Sequence, residues 1–297
     1  MLIGEVRRAG WRGLARGVHI PESEPRTPGQ QAHAWRCLLG EGITFTGLTA
    51  AGLRGWWLPA ITAQLPAFIA IREQDLRPRR VGLRVSRHRL RIPSVALDGL
   101  EVATPAETIL ACARLVSLVD LVILGDSALH LGDCTEQELQ LAATQRRRGA
   151  RALRRALPLL DGRSESPGET LLRVLHTSCG IPVQPQFVIS DRDQLVARAD
   201  LRITGTRRLP EYDGAHHRDP AQYERDRRRD RRLQELGWEP YSYSVISVLR
   251  EPLRILRDAD EALDREHVSA RIRRFYELLN PSSYTRLGAD QLRARLG

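Results

Sequence analysis

The spacing of apolar positions changes period several times along the chain, and each change predicts an element. Residues 12–21 read as the end of a helix that turns at Gly17 into a short strand closed by Pro21. Residues 30–39 and 48–53 carry apolar positions at helical spacing, the second with Thr46 as its N-cap. Short strands are predicted at 68–71 and at 81–85, where apolar and polar positions alternate. Thr104-Pro-Ala-Glu107 has capping-box spacing with proline at the first helical position, and opens an apolar helix to Leu115. A second helix covers 118–131. A third begins at the capping box of Thr135 and Glu138 and runs to about Arg148, and a basic helix follows over 150–160.

The stretch Asp161-Gly-Arg-Ser-Glu-Ser-Pro-Gly168 concentrates loop formers between helical patterns and marks a domain border. Beyond it the pattern predicts a helix over 169–178, strands over 185–189, 195–203 and 209–212, a helix over 223–236 and a strand over 241–245. That order describes a small sheet with helices against it. The remaining tail is mainly helical. The expected segments are 1–25, 26–160, 166–250 and 251–297.

Composition narrows the function classes. The chain has 297 residues and 42 % hydrophobic content, enough for two domains with cores. Its longest apolar stretch, Leu115 to Leu124, is broken by Ser117 and Asp120 and is too short for a bilayer. The first residues lack the apolar run of a signal peptide. A cytoplasmic protein is expected. Cys37, Cys112, Cys134 and Cys179 form no CxxC pair, so reduced, mostly buried thiols are expected rather than zinc knuckles or disulfides. A formal charge of +10 points to an anionic partner, nucleic acid first and an acidic protein or membrane surface behind it. All 46 basic residues are arginine, which removes catalytic lysine from any mechanism.

The candidate chemistry is carboxylate. Asp200 lies in a strand, and Glu211 and Asp213 follow across a Gly205 turn, two residues apart and therefore on one strand face. Glu169 enters from the first turn of a helix. Mg²⁺, or Mn²⁺ in its place, takes oxygen ligands, usually one or two carboxylates completed by water and phosphate, so this set suits phosphodiester hydrolysis. Ordinary surface carboxylates on a hairpin are the competing reading. In the 223–236 helix, Arg225 and Arg229 lie one turn apart and Arg228 begins a second row; with Arg198 they are candidate phosphate contacts, or else members of Asp/Arg pairs on a solvated face.

Ser166-Pro-Gly-Glu169, Arg198-Ala-Asp200, Glu211-Tyr-Asp-Gly-Ala-His216, the arginine-rich helix and Gly237-Trp238 together resemble the very-short-patch-repair-related (Vsr-like) endonuclease family of the PD-(D/E)XK superfamily. The resemblance covers roughly the last 45 % of the chain up to Tyr243. It implies a sheet flanked by helices, a divalent metal held by Asp200, Glu211, Asp213 and Glu169, and DNA cleavage by an activated water. Superfamily members often carry lysine where this chain has Asp213, so His216, with His217 behind it, or a metal-bound hydroxide is expected to activate the water. One departure is Pro210, immediately before Glu211 and poorly suited to a sheet ladder: either the strand starts late or the site is distorted.

The first half resembles AbiEi-type antitoxins and regulators through 14–21, 46–53 and 99–108. That resemblance implies a mixed α/β domain preceded by part of a winged helix, with Arg7, Arg8, Arg12 and Arg16 flanking it and the chain beginning late in that unit. A DNA endonuclease whose first half positions it on DNA or on a protein partner is one expectation. A DNA-binding regulator or antitoxin-like protein, keeping a nuclease fold as a platform, is the other. An RNA-directed enzyme is disfavoured by the lack of a stacking aromatic series.

Overall fold

The computed structural model describes residues 2–3, 10–15, 17–23, 27–61, 65–214 and 220–296. The expectations placed on Arg7, Arg8 and Arg16 lie outside them. The architecture is mixed α/β, and the chain divides into two units: residues 1–116, 133–155 and 291–297, and residues 117–132 and 156–290. No helix among the described residues is long and apolar enough to cross a membrane.

The first unit opens with β1 (Leu2–Ile3), β2 (Trp11–Ala15) and β3 (Val18–Pro21), an antiparallel sheet in the order β1-β3-β2. The segment before Gly17 is therefore a strand and not the end of a helix. Gly17, at φ +88°, reverses the chain so tightly that Gly13 pairs with His19. Next come α1 (Pro28–Leu39), held by a capping box of Thr27 and Gln30, then β4 (Thr44–Phe45) and α2 (Gly47–Leu53). Strands β5 (Ala67–Arg72), β6 (Leu83–His88), β7 (Ser94–Leu97) and β8 (Leu100–Ala103) complete a five-stranded mixed sheet in the order β6-β5-β4-β8-β7. Helices flank it, and Trp35, Phe45, Ile69, Leu100 and Val102 form its core. β6 is an edge strand.

α3 (Pro105–Cys112) starts without a side-chain cap from Thr104, so the expected capping box does not form. Glu107 is instead gripped by Arg147 through two hydrogen bonds of 2.7 and 2.5 Å. A charge-assisted bidentate pair outweighs one capping bond. α4 (Leu118–His130) belongs to the second unit. α5 (Glu136–Thr144) does carry the capping box of Thr135 and Glu138, but ends four residues earlier than expected, in the turn from which Arg147 reaches Glu107. α6 (Ala150–Ala156) follows Gly149, where φ is +94° and an added Cβ would stand 2.3 Å from the Leu110 carbonyl oxygen.

The second unit contains α7 (Pro167–Ser178), the hairpin β9 (Val183–Asp191) and β10 (Gln194–Ile203), β11 (Arg208–Asp213), α8 (Pro220–Glu235) and β12 (Glu239–Ser244). β9 and β10 are antiparallel, while β11 and β12 pair in parallel. Helices α9 (Val245–Arg250), α10 (Pro252–Ala262) and α11 (Arg273–Leu279) follow, and α12 (Arg286–Leu296) begins in the second unit and from residue 291 belongs to the first. In α7, Leu171, Leu172, Val174 and Leu175 are fully buried, each contributing about 1.5–3 kcal/mol. α4 is tied to α7 by the buried ion pair of Asp126 and Arg173, 2.6 Å apart. Thr170 and the Asp161 amide also donate to Asp126, and Arg173 donates to the Leu159 carbonyl, so the pair is satisfied on both sides.

Candidate functional site

The site is built where α7 meets the strands. Ser166 caps α7, accepting from the Glu169 amide at 3.2 Å, and Pro167 fixes the first turn, so Glu169 leaves the helix at a defined place. Gly168 makes the close approach possible: a Cβ there would fall 2.1 Å from the Tyr212 ring of β11.

Alternation along the strands decides which carboxylates meet. Ala197, Ala199 and Leu209 share a buried cluster with Leu233 of α8. Asp200, one residue after Ala199, therefore belongs to the opposite face, while Glu211, two after Leu209, stays on the α8 face. Polar contacts agree. Arg198, in phase with Asp200, pairs with Glu165 just ahead of α7 at 2.6 Å. Glu211 takes two hydrogen bonds from Arg229 of α8, that from Nη1 being 3.0 Å. The pair read as adjacent in the hairpin, Asp200 and Glu211, is thus divided between faces, and the neighbour that shares the face of Asp200 is Glu169.

Electrostatics show the same ranking. Burial pushes the Asp200 carboxyl up to about 7, Glu169 adds to that, and Glu211 adds less. Opposing them, the Tyr212 amide donates to Asp200 Oδ2 at 2.7 Å. The charge of Asp213 acts on the Tyr212 phenol, which burial already raises.

Pro210 explains why the Asp200 side chain reaches that amide. The Arg207 carbonyl accepts from the Glu239 amide on β12. Backbone groups of alternate residues face alternate neighbours, so Arg208, Pro210 and Tyr212 face β10. Proline has no N–H to offer, and the Tyr212 amide is given to a side chain, so β10 and β11 pack together without forming a ladder. The strand nevertheless starts at Arg208, before the proline, and its parallel register with β12 runs through Pro210 opposite Tyr241.

Gln186 was not anticipated. It falls in the register gap opposite Asp200, between the pairs Phe187–Ala199 and Pro185–Leu201, with φ of +50°. Its Nε2 donates to Glu169 Oε2 at 3.0 Å, and the Glu165 amide donates to the same oxygen at 2.8 Å. A non-glycine residue in the left-handed region costs on the order of 1–2 kcal/mol and clusters at functional sites. The only sequence signal was a glutamine beside Pro185 in an alternating strand.

Among the described residues, no group of three or more His, Cys, Asp or Glu is arranged to hold a metal ion. Glu169 with Asp200 is an all-oxygen pair, matching the one or two carboxylates that Mg²⁺ usually takes from protein. Glu211 is occupied by Arg229. Arg198 is half exposed despite its pairing, and Arg228 is exposed. His216, His217 and the side chain of Arg225 lie outside the described residues.

Two relatives extend the picture. The Uncharacterized protein MT2308 of Mycobacterium tuberculosis (strain CDC 1551 / Oshkosh) is 31 % identical over 194 residues, spanning 64 % of this chain and 68 % of the relative. The Uncharacterized protein Rv2248 of Mycobacterium tuberculosis (strain ATCC 25618 / H37Rv) matches with the same identity and coverage. No family model and no solved structure matches the chain. The chain belongs to the family of these two mycobacterial proteins.

Proposed function

We propose that the second unit is a metal-dependent DNA endonuclease of the Vsr-like, PD-(D/E)XK kind. The observation that carries this reading is the convergence of Glu169, Gln186 and Asp200 on one face of the sheet, with the Asp200 carboxyl raised to about 7 by burial and by Glu169. Without a cation the two half-buried carboxylates repel, and keeping like charges together is costly unless it serves chemistry. The order α7, β9, β10, β11, α8, β12, with the last strand parallel to the third, also supports it.

On this reading Glu169 and Asp200 hold the ion. Bound there, Mg²⁺ would polarise a phosphate oxygen and lower the pKa of its water. Gln186 fixes the orientation of Glu169, and the Tyr212 amide fixes that of Asp200. On this reading Arg198, half exposed, and Arg228, exposed, are the phosphate contacts. Glu211 keeps a positioning role through Arg229, which ties α8 to β11.

The neutralisation of Glu211 by Arg229 favours a second reading, a DNA-binding regulator that keeps the fold as a platform. Incubating supercoiled and linear DNA with the protein in Mg²⁺ or Mn²⁺ separates the two. The endonuclease reading expects cleavage by the wild type and a loss of more than ~100-fold in Asp200→Ala and Glu169→Gln. It also expects Mn²⁺ to raise the melting temperature of the wild type and not of Asp200→Ala. Equal inertness of all three proteins, with DNA binding retained, overturns the enzyme in favour of the regulator.

A further inference from the structure

A large cavity lies in the first unit, lined only by residues of that unit. It measures about 1500 Å³, and nine arginines and one histidine line it against one carboxylate, Glu107. Both oxygens of Glu107 are already taken by Arg147. A net of eight formal positive charges thus gathers in one cleft, in a chain whose formal charge is +10.

How these charges are held matters more than their number. Arg84 donates to the carbonyl oxygens of Arg295 and Leu296, Arg87 to that of Glu73, and Arg295 to that of Leu115. Carbonyl acceptors fix a guanidinium in place without cancelling its charge. Arg77, Arg80, Arg114 and Arg148 are exposed, and no carboxylate pairs with them among the described residues. The field inside is felt by His88, held below its ordinary value first by burial and then by the charges of Arg147 and Arg114.

We propose that this cleft is a second nucleic-acid site, gripping the phosphate backbone of DNA apart from the carboxylate cluster. The volume exceeds the ~300–1000 Å³ of an ordinary small-molecule pocket. The guanidiniums are spread over the 77–80 loop, edge strand β6, the end of α3 and the 147–148 turn. One phosphate engages two or three guanidiniums; a row of this length matches a repeating anion. Trp35 and Phe68 line the cleft but are buried, so no exposed ring is offered for base stacking and backbone contact is the mode that fits. The choice of DNA rests on the function proposed above; the charge argument does not.

Fluorescence anisotropy tests it, using the full-length protein and a labelled duplex of about 20 base pairs in EDTA, between about 50 and 200 mM salt. The triple variant Arg80→Ala/Arg114→Ala/Arg148→Ala is expected to lower the slope of log K against log salt by about 2–3, and to weaken binding at least tenfold. The control Arg257→Ala/Arg273→Ala/Arg274→Ala removes as much charge from exposed helices of the second unit and is expected to behave as wild type. Equal slopes in wild type and triple variant, or an equal drop in the control, overturns the cleft. Should metal-dependent cleavage persist in that case, the cleft fails and the endonuclease stands. A wild type that binds RNA of the same length but not the duplex overturns the choice of DNA.

Discussion

The ion pairs of the second unit and the cleft of the first hold arginine differently. In the second, guanidiniums meet carboxylates: Arg229 with Glu211, Arg232 with Asp191, Arg173 with Asp126, and Arg265 and Arg271 with Asp260. In the cleft of the first, nine arginines and a single carboxylate, Glu107, form the lining, and Glu107 is bound by Arg147. Composition alone averages the two into a basic chain. The contrast teaches that an excess of arginine has to be read against its internal counter-charges: Arg229 and Arg232 of α8 meet carboxylates, whereas no carboxylate pairs with Arg77, Arg80, Arg114 or Arg148 of the cleft among the described residues.

The sharpest way to break this comparison is at the most buried pair. Asp126 and Arg173 are 0 % and 5 % exposed. Asp126→Ala strands a buried guanidinium and is expected to cost about 3–5 kcal/mol, read as a shifted midpoint in urea unfolding. A loss below about 1 kcal/mol would mean that water reaches Arg173 and that the second unit does not depend on internal pairing.

Next in size is a buried group with no counter-charge at all. His176 of α7 is 1 % exposed; its Nδ1 lies 2.8 Å from the Leu172 carbonyl, and its Nε2 has no partner among the described residues. Burial lowers its pKa from 6.5 to about 4, only partly offset by that hydrogen bond. The unfolded chain then binds the extra proton between these values, so the stability contribution is complete above pH 6.5 and is lost as pH falls towards 4. The loss amounts to about 3 kcal/mol. His176→Leu is expected to flatten this part of the stability profile relative to wild type, whereas parallel profiles would show that His176 does not titrate with folding.

Much of this was legible in the sequence, and the gaps have physical causes. The order helix, hairpin, strand, helix, strand in the second unit followed from periodicity, and the capping box of Thr135 and Glu138 from three-residue spacing. The box at Thr104 was equally legible but does not form, because Glu107 found a guanidinium forty residues away. Glu169 and Asp200 were identifiable as chemistry-bearing residues, but their sharing of a face was not. That depends on which side of the sheet α7 packs, a tertiary fact. Gln186 needed a left-handed backbone at a non-glycine residue, which no local pattern announces. The basic cleft is assembled from segments more than two hundred residues apart, and window statistics do not see it.

The smallest expected effect tests the comparison at the surface. Arg232 of α8 pairs with Asp191 and Glu235; Arg232 and Glu235 are about half exposed and Asp191 about a quarter. Water screens such pairs, so Arg232→Ala is expected to leave the urea-unfolding midpoint unchanged within error. Arg114→Ala in the cleft removes a charge without a carboxylate partner and is expected to leave stability unchanged within about 0.5 kcal/mol, or to raise it slightly by easing repulsion from its neighbours. On stability the two variants are therefore nearly equal. They part in DNA affinity, where Arg114→Ala is expected to lower the salt slope by about 1 and Arg232→Ala by less, because the charge of Arg232 is already shared with carboxylates. If Arg232→Ala gives the larger drop, internal pairing does not shield an arginine from phosphate, and the distinction between the units loses its functional meaning.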